Sequence, residues 1–208
     1  MAKKKLRLGV LLSGGGRTLM NLLETIQRGQ LDAEVVTVIA SRECAGIQRG
    51  LEAGLDVHLV PYQQLKEAGE YSAAIAKVLD DAKVELVCMA GFLSLWALPE
   101  RYEGKVMNIH PALLPSFGGE GMYGQRVHEA VLAAGCKVSG CTVHFVTNEY
   151  DRGPIIIQRA VEVAEGDTPD TLASRVFEQE CIAYPEAIRL FAARRLRVQS
   201  GVVRILPK

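Results

Sequence analysis

The sequence predicts an α/β protein built on a mostly parallel, twisted sheet with helices on both faces. Three observations carry that expectation. Short runs such as Val35–Ala40 and Val84–Ala90 are apolar apart from Thr37 and Glu85, as strands covered on both faces read. Between them lie segments whose apolar residues recur at helical spacing. The first run, Leu6-Arg7-Leu8-Gly9-Val10-Leu11-Leu12, stops at Ser13-Gly14-Gly15-Gly16, and a helical pattern opens at Arg17, giving strand, glycine loop and helix. Alternation of this kind is Rossmann-like.

Taken in order, the helix from Arg17 carries Leu19, Leu22, Leu23 and Ile26 on one face. Val35–Ala40 is the second strand, Ala45–Ala53 a short helix and Val57–Val60 the third strand. Tyr71–Ala82 is a helix with Ile75, Val78, Leu79 and Ala82 on one side, and Val84–Ala90 the fourth strand. Val106–Ile109 is the fifth, delivering Asn108 and His110 to its carboxyl end, the edge where open α/β sheets collect ligands. A proline- and glycine-rich loop spans Pro111–Gly121, and a helix runs from Gln125 to Ala134, ended by Gly135. Ser139–Val146 and Gly153–Val163 read as neighbouring strands joined by a turn at Thr147–Arg152. Thr168 is an N-cap with Pro169 at the first helical position. That helix is expected to reach about Arg194, kinked or interrupted at Pro185. Arg197–Leu206, centred on Gly201, reads as a terminal hairpin.

Lysine plus arginine and aspartate plus glutamate each total 24, so no global field recruits nucleic acid or a membrane surface. The longest uncharged apolar run, Leu86–Pro99, has 14 residues, against roughly 20 for a bilayer span. The start, Met1–Lys5, mimics a signal n-region but leads into glycines rather than a cleavage site. A cytoplasmic protein without membrane or nucleic-acid partners is expected. Five cysteines (44, 88, 136, 141, 181) form no Cys-x-x-Cys, and an odd, scattered count is no disulfide framework. Cys136 and Cys141 with His128 and His144 do not match zinc spacing, so no metal is expected.

Gly16, Arg17 and Thr18 open the first helix, where free N–H groups and the helix dipole suit a phosphate. The alternative is a tight turn needing glycine only for its φ angles. No Lys-Ser or Lys-Thr follows, Leu19 replaces the third glycine of a dinucleotide fingerprint, and the second strand ends in Ser41-Arg42 without a ribose-binding acid. Asn108 and His110, two apart on an extended segment, share a face. An amide donor for an oxyanion beside a proton-moving imidazole suits acyl transfer, although a histidine before proline can equally be a loop residue. Asp151, in the Thr147–Arg152 turn, is either a capping residue or a carboxylate that raises the pKa of His110. Glu180 shares helical spacing with Val176, Tyr184 and Ala187, which places it at a rim or on polar groups such as sugar hydroxyls. His58, His128 and His144 show no partner pattern and are assigned structural roles. Ser116 lacks a nucleophile-elbow context.

Ser13-Gly14-Gly15-Gly16, Ala90-Gly91-Phe92, Asn108-Ile109-His110-Pro111-Ala112-Leu113-Leu114-Pro115, Thr142-Val143-His144-Phe145-Val146 and Asp151-x-Gly153-Pro154-Ile155-Ile156 together resemble the folate-dependent formyltransferases, over nearly the whole chain. The resemblance implies a formyltransferase fold in one domain, 1–208. Its 1–107 half would bind phosphate, and its 108–208 half would hold the catalytic and folate-binding groups, in a monomer or homodimer. It implies formyl transfer from the co-substrate 10-formyltetrahydrofolate to glycinamide ribonucleotide. Asn108 would then hold the oxyanion and His110 with Asp151 would shuttle protons. Gly16, Arg17 and Thr18 would take the phosphate and Glu180 the ribose. Phe92, Leu93, Ser94 and Leu95 would form one folate wall, and Asn108 with Thr147, Asn148, Glu149, Tyr150 and Asp151 the other. Ser94, Thr18 and Phe177 depart from the family's usual arginine, asparagine and glutamine. A 10-formyltetrahydrofolate hydrolase, or a phosphate-binding module without catalysis, is the competing expectation.

Overall fold

The computed structural model describes residues 4–63, 65 and 68–207; positions 1–3 of the lysine-rich start lie outside the described residues. Contacts divide the chain into two compact units, Met1–Met107 and Asn108–Lys208. The first holds β1 (Leu6–Leu12), α1 (Arg17–Gln27), β2 (Ala33–Ala40), α2 (Ala45–Glu52), β3 (Val57–Leu59), α3 (Ala68–Asp81), β4 (Leu86–Met89) and a single 3₁₀ turn, Glu100–Tyr102. The division falls inside β5 (Val106–His110). The second holds α4 (Gln125–Ala133), β6 (Val138–Phe145), β7 (Ile155–Glu162), α5 (Pro169–Ala192) and the hairpin β8 (Leu196–Gln199) with β9 (Val202–Ile205).

Seven strands form a mixed sheet in the order β3-β2-β1-β4-β5-β6-β7. β1 pairs in parallel with β2 and β4, and β2 with β3, whereas β6 and β7 are antiparallel. The parallel strands are apolar because they are covered: Leu8, Val10, Leu11 and Leu12 of β1 and Leu86, Val87 and Cys88 of β4 are fully buried. Gly9 admits α3 to the sheet, since a Cβ there would come within 2.6 Å of Leu79 Cδ2. The β1–β2 register shifts at the same place, between Leu8 and Gly9. Gly50 does the same for α2, which lies against Val57 of β3.

Most expected elements are present, with shifted ends. β2 starts at Ala33, α3 starts at Ala68, and β4 occupies only Leu86–Met89 of the expected Val84–Ala90. The larger difference is α5, which runs through Pro185 without interruption. Proline removes one backbone hydrogen bond there. Its neighbours Ala183, Tyr184, Ala187 and Ile188 are fully buried, so packing against β6 and β7 holds the helix across the gap.

The start of α5 is fixed by a reciprocal cap. Thr171 N–H donates to the Thr168 side chain at 3.2 Å, and Thr168 N–H donates to Thr171 Oγ1 at 2.9 Å. Thr168→Ala is expected to lower unfolding free energy by about 1 kcal/mol, read as a lower urea midpoint at unchanged slope. An unchanged midpoint would show the cap to be energetically silent.

Candidate active site

In the first unit the glycine loop is held by its carbonyls. Arg42 Nε donates to Ser13 O at 2.7 Å, Gly46 N–H to Gly14 O at 3.0 Å, Arg49 Nη1 to Gly15 O at 2.7 Å and Met20 N–H to Gly16 O at 3.1 Å. In a trans peptide the N–H points opposite to the preceding carbonyl. Each pinned carbonyl therefore turns the N–H that follows it, from Gly14 to Arg17, away from that carbonyl's partner, and successive backbone N–H groups of this kind are what anion-binding nests are built from. Gly16, at φ 73°, is the N-cap of α1 and supplies no side-chain cap. Its missing Cβ also matters, since one would come within 3.0 Å of Gly46 Cα. Arg17 is exposed and Thr18 half-buried at the head of α1.

The same loop is tied to the segment expected to wall a ligand. Ser13, fully buried, donates its N–H to Gly91 O at 3.0 Å and accepts from Leu93 N–H at 2.9 Å through Oγ, which also lies 2.6 Å from Ser41 Oγ. Phe92, Leu93 and Ser94 are half-buried, and Leu95 is exposed.

In the second unit, Asn108, His110 and Asp151 come together. Asp151 Oδ2 is 3.5 Å from His110 Nδ1, and Asn108 Nδ2 is 3.4 Å from Asp151 Oδ1. Asp151 sits in the left-handed region at φ 54°, a conformation that aspartate tolerates better than most residues. The loop after His110 closes on it: Gly119 N–H donates to Asp151 Oδ2 at 2.9 Å, and a Cβ on Gly118 would come within 3.1 Å of Asp151 Cβ. The loop also carries a cis peptide at Leu114–Pro115. Thr142 Oγ1 anchors it by donating to Ala112 O and accepting from Leu114 N–H.

His110 Nε2 is 2.8 Å from Phe117 O. A carbonyl only accepts, so Nε2 carries the proton and Nδ1 offers its lone pair beside Asp151. Asp151 does pull the His110 pKa upward, as expected, but it does not decide the net direction. Burial, the largest influence, lowers it; the carboxylate and the Phe117 carbonyl pull upward, and the net direction is down. The ring is therefore neutral at physiological pH. For Asp151, burial pushes upward, but the His144 ring, the His110 ring and the Gly119 N–H together hold the carboxyl below its ordinary range.

A fourth residue belongs to this cluster and was assigned only a structural role from sequence. His144, buried at the end of β6, places Nε2 3.2 Å from Asn108 Nδ2 and 3.6 Å from Asp151 Oδ1. Its partnership depends on which strand lies beside β5, so sequence spacing carries no signal for it. His128 of α4 is also buried, and burial first, then repulsion from His110, lowers its pKa. Thr147 is half-buried, while Asn148, Glu149 and Tyr150 are exposed along the turn. Glu180 is half-buried on α5 and faces β6, where burial first, and then its charge, push the Cys141 thiol up to about 12. Phe177 precedes it on the same helix. Among the described residues, no group of three or more histidine, cysteine, aspartate or glutamate side chains is arranged for a metal ion, and no helix is long and apolar enough to cross a membrane.

Residues 6–188 match the formyl transferase family. The chain is 40% identical over 197 residues to the trifunctional purine biosynthetic protein adenosine-3 of Gallus gallus, an alignment covering 93% of this chain but 19% of that protein. It is 36% identical to the chloroplastic phosphoribosylglycinamide formyltransferase of Arabidopsis thaliana, covering 93% of this chain and 68% of the relative. The chain thus spans about a fifth of the trifunctional relative and about two thirds of the plant one. Among solved structures, glycinamide ribonucleotide transformylase 1 from Symbiobacterium toebii superposes with a TM-score of 0.90 at 40% identity, covering 98% of this chain and 95% of that one.

The opposed influences on His110 have a measurable sign. Asp151→Asn removes an upward pull and leaves burial in place, so the ring is expected to titrate at lower pH than in the wild type, followed by NMR of the imidazole protons. A midpoint that stays or rises would show that the carboxylate does not act on this ring. The folded-state pKa lies below the unfolded value of about 6.5. The contribution of His110 to stability is thus fully present above that pH and is lost as pH falls toward the lowered folded value.

Proposed function

The chain belongs to the formyl transferase family, and from that premise we propose that it transfers the formyl group of 10-formyltetrahydrofolate to the primary amine of glycinamide ribonucleotide, a step of purine nucleotide synthesis. The observation that carries this reading is the convergence of one amide, one neutral imidazole and one carboxylate in the second unit. Direct transfer requires little else: the amine attacks the formyl carbon, the oxygen becomes an oxyanion, and collapse expels the folate nitrogen. Asn108 donates to the developing oxyanion. His110, kept neutral by burial, has a free lone pair at Nδ1 to receive the amine's proton. Asp151 Oδ2, 3.5 Å away, stabilises the imidazolium so formed until the proton passes to the leaving nitrogen. No covalent enzyme intermediate is required.

In this reading Gly16, Arg17 and Thr18 hold the substrate phosphate through the nest, and Glu180 binds the ribose. Phe92 through Leu95 and Thr147 through Asp151, together with Asn108, line the folate. The donor is a co-substrate, and no metal enters the proposed steps.

The decisive assay supplies purified protein with 10-formyltetrahydrofolate, with and without glycinamide ribonucleotide. Formyl transfer that depends on the ribonucleotide is expected; deformylation that ignores it would replace this reading with that of a hydrolase. Asp151→Asn is expected to keep the fold and lower kcat by roughly 10²–10⁴, and wild-type turnover would remove Asp151 from the proton path. The nest adds a binding expectation. Calorimetry should show glycinamide ribonucleotide binding far more tightly than its dephosphorylated form, and equal affinities would overturn the phosphate assignment.

A further inference from the structure

His144 is 2% exposed, and its two ring nitrogens have different work. Nδ1 lies 2.8 Å from the Phe145 carbonyl oxygen, which can only accept, so Nδ1 carries the hydrogen and Nε2 presents a lone pair. Phe145 is itself fixed, donating its N–H to Pro154 O at 2.9 Å, while Gly153 makes room. A Cβ on Gly153 would come within 1.6 Å of the Phe145 oxygen and 3.4 Å of His144 Nδ1. The backbone thus sets the tautomer.

That lone pair faces Asn108. A carboxamide has a nitrogen end and an oxygen end of nearly the same shape, so its orientation must be imposed from outside. Here the end next to His144 sits 3.2 Å from Nε2 and 3.4 Å from Asp151 Oδ1, and both of these atoms are acceptors. Only the nitrogen end can be stable there, since an oxygen would face two lone pairs. The acceptors are 3.6 Å from each other, so the three distances describe a nearly equilateral triangle, with an angle at Nδ2 of about 66°. The two hydrogens of a planar amide diverge by about 120°. One N–H therefore serves both acceptors, and the second is left for an acceptor outside the cluster.

We propose that His144 is a positioning residue: with its tautomer fixed by the Phe145 carbonyl, it locks the Asn108 amide nitrogen in place so that the second N–H is aimed at the formyl oxyanion. This rests on the formyl-transfer reading for its chemistry, and the orientation itself rests on geometry alone.

The test is a double-mutant cycle on the formyl reaction. His144→Ala is expected to lower kcat on the order of 10²-fold, as loss of an aimed oxyanion donor does, with KM for both substrates changed only a few-fold. In an Asn108→Ala background the same substitution should cost nothing further, because there is no amide left to orient. Losses that multiply, or a raised KM at unchanged kcat, would overturn the proposal in favour of a merely structural histidine. Should His144→Ala not fold, His144→Gln is carried through the same cycle. If the wild type passes the formyl group to water rather than to the amine, the cycle is run on that reaction, which separates failure of the substrate assignment from failure of this one. ¹⁵N NMR of the ligand-free protein gives a readout that needs no activity. A neutral His144 ring with its hydrogen on Nδ1 is the tautomer expected, and the opposite tautomer would sink the proposal.

Discussion

The carboxylate of Asp151 is the constraint on which the second unit's site depends. A buried charge is costly unless it is bonded on several sides, and this one accepts from the Gly119 N–H and the Asn108 amide, with two imidazole rings packed beside it. Each of those neighbours is brought in by a different stretch, β5, the loop after it or the end of β6, around the turn that carries Asp151 itself. Asp151 must also hold φ at 54°, so the polar contacts offset a backbone conformation that a non-glycine residue adopts at some cost. The charge thus ties four stretches of chain to one point, and the uncharged amide of Asp151→Asn would keep their packing while weakening those contacts.

Much of the fold was legible because it rests on local patterns. β4 is buried throughout and reads as an unbroken apolar run, β1 is apolar and buried from Leu8 onward, and the turn from β1 to α1 reads as three glycines because Gly16 needs a positive φ and close approach to Gly46. Pro185 misled for the converse reason. A local rule against proline in helices gave way to tertiary packing by Tyr184, Ala187 and Ile188, which no short window contains.

The site was legible in its parts and less so in its balance. Asn108 and His110 are two residues apart on one strand, so a period-2 argument pairs them. Asp151 was reachable through its turn. His144 was not, because its partnership depends on which strand lies beside β5, a fact of topology rather than of sequence spacing. The direction of the His110 shift also escaped the sequence. A carboxylate partner can be guessed from residue types, but the depth of burial that overrides it belongs to the folded whole.

The glycine loop has a thermodynamic side that its geometry alone does not express. With Ser13, Gly14, Gly15 and Gly16 carbonyls each engaged by α1, α2 or Arg42, the flexible residues of the loop have given up their freedom during folding. The anion proposed for this loop would then meet little ordering penalty, so attraction to the N–H groups would pass into affinity with little entropic loss. Glycine, chosen where the backbone must bend, here ends up in a turn whose carbonyls are all engaged.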